Sequence, residues 1–119
     1  MTMTNPETAS SGRLADIRVV PGTFKVDVVP GVFFAEPGGT YWIRNHTNYW
    51  VVVTLSDRIV EHGKTLELEP AGSSGESASF MAISSGSGVH QYTVRVTFAR
   101  ELEEGLYATG GSNPRIVFN

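Results

Sequence analysis

Short apolar alternations, each cut off by Gly, Pro, Asn or Ser, fill almost the whole of this sequence. They read DIRVV, TFKVDVV, GVFFA, GTYWIRN, NYWVVVTL, DRIVEH, TLELE, SASFMAI, HQYTVRVTF and PRIVFN. These runs are shorter than the ten or so residues an amphipathic helix needs, and their period is two. Phe24, Val26 and Val28 fall on one face with Lys25 and Asp27 on the other. Tyr92, Val94, Val96 and Phe98 alternate in the same way with Gln91, Thr93, Arg95 and Thr97. Strands of this kind bury one face and wet the other. Closely spaced turn signals between them predict an all-β, antiparallel two-sheet Greek-key sandwich of about eight strands. Only ARELEEGLY, residues 99–107, could hold a helical turn, and Gly105 would stop it.

A chain of 119 residues is the size of one ordinary domain and buries a core without covalent staples. The opening MTMTNPETASSG is small and polar, so residues 1–13 read as a disordered lead and 14–119 as a single sandwich domain. Cysteine is absent, which removes disulfides, thiolate metal sites and a cysteine nucleophile, and suits the cytoplasm. No basic start precedes an apolar run at the N-terminus, and no segment approaches a membrane span, so neither secretion nor membrane insertion is expected. The net charge is −3, and the nine Lys and Arg are scattered along the chain, leaving no basic stripe for nucleic acid. The acidic run at Glu101–Glu104 reads as a solvated turn.

The most loaded stretch is GGTYWIRNHTNYWVVVTL, residues 38–55. If its two strands form a hairpin around a tight turn at His46 and Thr47, Arg44 lies opposite Tyr49 and Ile43 opposite Trp50. Either register leaves both faces of that hairpin apolar and aromatic. A sandwich buries one face of each sheet, so the second calls for a loop, a partner or a ligand. Tyr and Trp are the side chains that anchor interfaces. Tyr41, Trp42, Arg44, Tyr49 and Trp50 are therefore the candidate partner-binding residues, for self-association or docking on another protein. A small ligand or glycan held by the same aromatics with Arg44 and Asn45 is the alternative.

Other chemistry finds little support. His46, His62 and His90 match no spaced ligand motif, so a histidine metal site is a distant alternative, and no metal or cofactor is expected. The Gly/Ser stretches AGSSGES and SSGSG lack a phosphate-loop lysine and the frame of a serine-hydrolase elbow, and read as flexible spacers. Glu67 and Glu69 share a face, but Leu66 and Leu68 take the buried one, so the glutamates are the solvent side. No catalytic residues emerge, and the chain reads as non-enzymatic. At the C-terminus, Ile116 and Phe118 should pack inward while Arg115 and Val117 face out, on a strand at a sheet edge or closing the sandwich, with Pro114 at its start.

The order EPGGTYWIRNHTNYWVVVTL, SGVHQYTVRV, PRIVFN resembles the cupredoxin-like sandwich family. In that family a Gly turn leads into a V-x-W-x-N strand, and a late G-x-Y-x-Y strand precedes the end. TYWIRN and VHQYTV occupy those places here, and immunoglobulin-like domains share much of the same pattern. The resemblance implies the sandwich and not the metal. A blue-copper site needs a Cys thiolate with two His and usually a weak axial Met, clustered after the late strand. This chain has no Cys, no His after His90 and no Met after Met81, so the resemblance is to members that kept the sandwich and lost the copper.

Overall fold

The computed structural model describes residues 13–19, 25–97, 105–107 and 114–118. The disordered-lead expectation falls almost wholly outside these, as do Phe24, Phe98 and residues 99–104. The described residues are all β, with eleven short strands and no helix. They are β1 (Leu14–Val19), β2 (Val26–Val29), β3 (Val32–Ala35), β4 (Thr40–Asn45), β5 (Trp50–Leu55), β6 (Lys64–Leu68), β7 (Ser77–Met81), β8 (Val89–Gln91), β9 (Thr93–Thr97), β10 (Gly105–Tyr107) and β11 (Arg115–Phe118).

The strands assemble into three hydrogen-bonded sheets in a sandwich-like arrangement: β2-β1-β4-β7, β10-β9-β5-β6 and β3-β11-β8. The strand count exceeds eight because the HQYTVRVTF run is divided into two strands and because Gly105–Tyr107, read from sequence only as the end of a helical turn, is a strand. Pro30 and Gly31, after a cis Val29–Pro30 bond, separate β2 from β3, and Tyr92 separates β8 from β9. Each break lets one stretch of chain serve two sheets. Nor is the pairing wholly antiparallel, since β1 runs parallel to β4 and β3 parallel to β11.

The period-two reading of single strands agrees with the observed burial. Val26 and Val28 are buried with Lys25 and Asp27 exposed, and Tyr92, Val94 and Val96 are buried with Thr93 exposed. Leu66 and Leu68 point inward and Glu67 outward, and Ile116 and Phe118 are buried between half-buried Arg115 and Val117. Ile17, Ile43 and Phe80 meet Val51, Val53, Leu68, Val94 and Val96 in one core, closed along one side by Phe33, Ile116 and Phe118. Each fully buried Val, Leu or Ile there contributes roughly 1.5–3 kcal/mol relative to exposure.

Three local expectations change. DRIVEH is a turn, because Ile59 and Val60 both donate to the Ser56 carbonyl and His62 and Gly63 adopt positive φ to reverse the chain. Ile59 and Val60 are nevertheless buried, plugging that end of the core. β11 is the central strand of its sheet, so it is not an edge. Finally, the Gly/Ser loops are pinned. In residues 69–76, Glu69 N–H donates to Gly75 O, Ala71 N–H to Thr47 O and Gly75 N–H to the Glu69 carboxylate. In residues 84–88, Gly86 sits so close to the Phe118 ring that a Cβ there would collide with it.

Candidate functional site

The predicted hairpin does not form. β4 pairs with β1 and β7, whereas β5 pairs with β6 and β9, so the two halves of the aromatic stretch belong to different sheets. Arg44 is not opposite Tyr49, and Ile43 is not opposite Trp50. Instead Arg44 lies between Asp16 and Ser77, and Trp50 pairs with Thr97.

The parting of the strands is bridged by the side chain of Asn45, fully buried at the end of β4. Its Oδ1 accepts from the Thr47 N–H at 2.8 Å and the Thr47 hydroxyl at 2.7 Å. Its Nδ2 donates to the carbonyls of Tyr49 at 2.7 Å and Glu69 at 2.9 Å. The link to Thr47 N–H bends the chain as an Asx-type turn, and the links to Tyr49 and Glu69 fasten the departing chain to the neighbouring sheet. Residues 46–49 are a corner between sheets.

The five predicted residues are consequently dispersed. Tyr41 is core, 2% exposed, stacked edge-on to Phe33 at 5.6 Å and tilted against Phe80 at 5.9 Å. Its hydroxyl accepts the Glu36 N–H at 2.6 Å, and the Arg13 guanidinium lies 5.1 Å from its ring centroid. As a partner-binding residue it is therefore unavailable. Trp42 and Arg44 are half-buried on the outer face of the β2-β1-β4-β7 sheet. Tyr49, 39% exposed, is in the corner, and Trp50 is half-buried on the outer face of the β10-β9-β5-β6 sheet. The exposed aromatics share no face.

Around Trp42 and Arg44 there is a small polar cluster. Asp16 Oδ1 receives the His46 Nε2 contact at 2.7 Å and Arg44 Nε at 3.2 Å, with Arg18 at 3.6 Å from Oδ2. A carboxylate this close requires the proton on His46 Nε2. That rules out the alternative in which Nε2 accepts from Arg44 Nε at 3.0 Å, so both groups donate to the carboxylate. Beside it, Trp42 Nε1 is buried without a hydrogen-bond partner among the described residues.

The histidines stay apart. His46 is in the Asp16 cluster, His62 lies 3.7 Å from Glu61 in an exposed turn, and His90 Nε2 is 2.6 Å from the Ser87 carbonyl with its ring edge-on to Phe118. Among the described residues, no three potential ligands of the His, Cys, Asp or Glu type come together. An open cavity of about 420 Å³ lies at the opposite end of the sandwich from the corner. Val60, Lys64, Met81 and Ile83 line it, and it contains none of the predicted site residues.

A different surface emerges on the three-stranded sheet. Phe34, Val117 and Val89 are side by side in the register of β3, β11 and β8. Phe34 is 63% exposed and Val89 57%, with Val117 half-buried between them. Sequence reasoning placed Val117 outward but did not connect it to Phe34. The available signal was the unbroken VFFA run, which puts large apolar groups on both faces of one strand.

No protein-family model matches this chain, and no curated protein matches it in sequence. Among the described residues, no helix is long and apolar enough to cross a membrane.

Proposed function

We propose that the chain is a non-catalytic interaction module that works through self-association or protein docking. The observation that carries this reading is the exposed row Phe34–Val117–Val89, an apolar strip on a sheet face. Large exposed apolar groups in register are a recurrent feature of protein contact surfaces. Arg115, next outward along β11, makes no ion pair among the described residues, so the matching surface is apolar with an acidic rim. The absence of cysteine supports a reducing compartment such as the cytoplasm.

The test is a photoreactive phenylalanine analogue at position 34, expressed in the cell of origin. A discrete adduct is expected that disappears with Val89→Asp and weakens with Arg115→Glu. The adduct mass separates a second copy from a foreign protein. Adducts no more discrete than those from a probe at position 67, on a different sheet, would sink the proposal.

A second reading, a glycan or small-ligand site, has one observation in its favour. The half-buried Trp42 stands beside the Asp16–Arg44–His46 cluster, a stacking platform next to directional polar groups. Asn45 has no part in it, because its hydrogen-bonding capacity is fully used inside the corner. Titrating soluble saccharides while following Trp emission would support the reading if the change vanished in Trp42→Phe. A flat response would remove it.

As to fold family, the two parallel pairings favour the cupredoxin-like over the immunoglobulin-like alternative, whose constant-type sandwich is built from antiparallel strands. Cross-strand backbone NOEs that pair β1 with β4 in antiparallel register would reverse that preference.

A further inference from the structure

The cavity of about 420 Å³ is built where two segments of the chain are clipped together. Ile83 N–H, just beyond β7, donates to Ile59 O at 2.7 Å, in the turn that leads into β6. That bond brings Met81, Ala82 and Ile83 from one segment and Val60 and Lys64 from the other around a single space. Its volume is in the range of small-molecule sites.

Much of the lining is apolar. Val60 and Ala82 are buried and Ile83 is half-buried. Met81 is 66% exposed, more than any other large hydrophobic side chain among the described residues. A side chain so placed gains most when an occupant covers it, and an unbranched thioether reshapes readily to fit one.

The polar lining is dominated by donors. Gly86 N–H donates to Ile83 O at 3.0 Å, which makes Ser84 and Ser85 the central pair of a turn. Their N–H groups and hydroxyls, and the Lys64 ammonium, have no hydrogen-bond or ion-pair partner among the described residues. Glu61 is the one negative charge in the lining. Its side chain is 80% exposed, with His62 at 3.7 Å, so water screens it from a single negative charge more than it would from two.

The geometry points to a binding site for a small molecule that carries one carboxylate on an apolar body. The carboxylate is received by Lys64 and the Ser84–Ser85 turn, and the body lies against Met81, Val60 and Ile83. Glu61 disfavours a dianion such as a phosphate monoester. This site is independent of the interaction-module reading, since the Phe34 row lies on the β3-β11-β8 sheet, which contributes none of these residues.

Titrating the isotope-labelled full chain with N-acetyl-leucine, and following its amide resonances, tests the site. Saturable shifts are expected at Lys64, Ser84 and Ser85. Acetate, which keeps the carboxylate and loses the body, should bind at least about tenfold more weakly. Leucine amide, which has no carboxylate, should produce no saturable shift there. Lys64→Met should weaken N-acetyl-leucine at least about threefold and Lys64→Arg should restore it, with resonances remote from β6 unchanged in both as the check on folding. No saturable shift with N-acetyl-leucine would overturn the site. Equal binding of leucine amide, or unchanged affinity in Lys64→Met, would overturn carboxylate recognition, and equal binding of acetate would overturn the role of the apolar walls.

Discussion

Asn45 and Tyr92 are both polar side chains sealed inside an apolar sandwich, and they are sealed in opposite ways. Asn45 has four hydrogen bonds for its two donors and two acceptor sites. Tyr92, 2% exposed, buries its hydroxyl with no partner among the described residues. The first group directs the chain, because its bonds exist only if residues 46–49 turn from one sheet toward the other. The second fills volume, with the ring as its contribution and the hydroxyl as a passenger. Burial alone therefore says little about what a polar residue does, and satisfaction separates the two roles.

The comparison breaks most visibly at Asn45. Asn45→Ala leaves the Thr47 hydroxyl, its N–H and two carbonyls to find other partners in a buried corner, and is expected to cost about 3 kcal/mol. A urea melt should show the midpoint fall with the slope preserved. A loss under about 1 kcal/mol would mean that water replaces the side chain and that the corner does not depend on it. Thr47→Val sharpens the point. It removes only the hydroxyl, which donates to Asn45 Oδ1 and accepts from the Tyr49 N–H, while the Thr47 N–H bond survives. The expected cost is about 1 kcal/mol, and additivity of the two substitutions would show that the hydroxyl acts independently of Asn45.

What the sequence made legible follows the same division. Side-chain parity within a strand is local, so the inward faces of Val26 and Val28, Leu66 and Leu68, and Ile116 and Phe118 could be read directly. Partnership between strands is not local. NHTN has the composition of a tight turn, and nothing within it says that Asn45 reaches forward to Glu69. That one long-range bond is tied to whether β4 and β5 face each other or sit in different sheets. The candidate site inherits the error. Once the sheets are known, Tyr41 moves to the core, Trp42 and Trp50 to separate outer faces, and the exposed apolar row to Phe34 and Val89.

The smallest effect is expected at Tyr92, and it has a sign opposite to Asn45. Tyr92→Phe removes a buried hydroxyl that has no partner among the described residues, so stability at neutral pH should be unchanged or should rise by up to about 1 kcal/mol. The alkaline limb adds a second readout. Burial pushes the Tyr92 hydroxyl above the usual tyrosine range. Below the ordinary value near pH 10 both folded and unfolded chains hold this proton, and Tyr92 contributes no pH dependence. Above it the unfolded chain releases the proton while the folded chain retains it, so stability falls by up to about 1.4 kcal/mol per pH unit. Tyr92→Phe should flatten that decline without changing the profile below it. If the substitution costs 1 kcal/mol or more at neutral pH, the hydroxyl has a partner in solution such as a buried water, and Tyr92 belongs with Asn45.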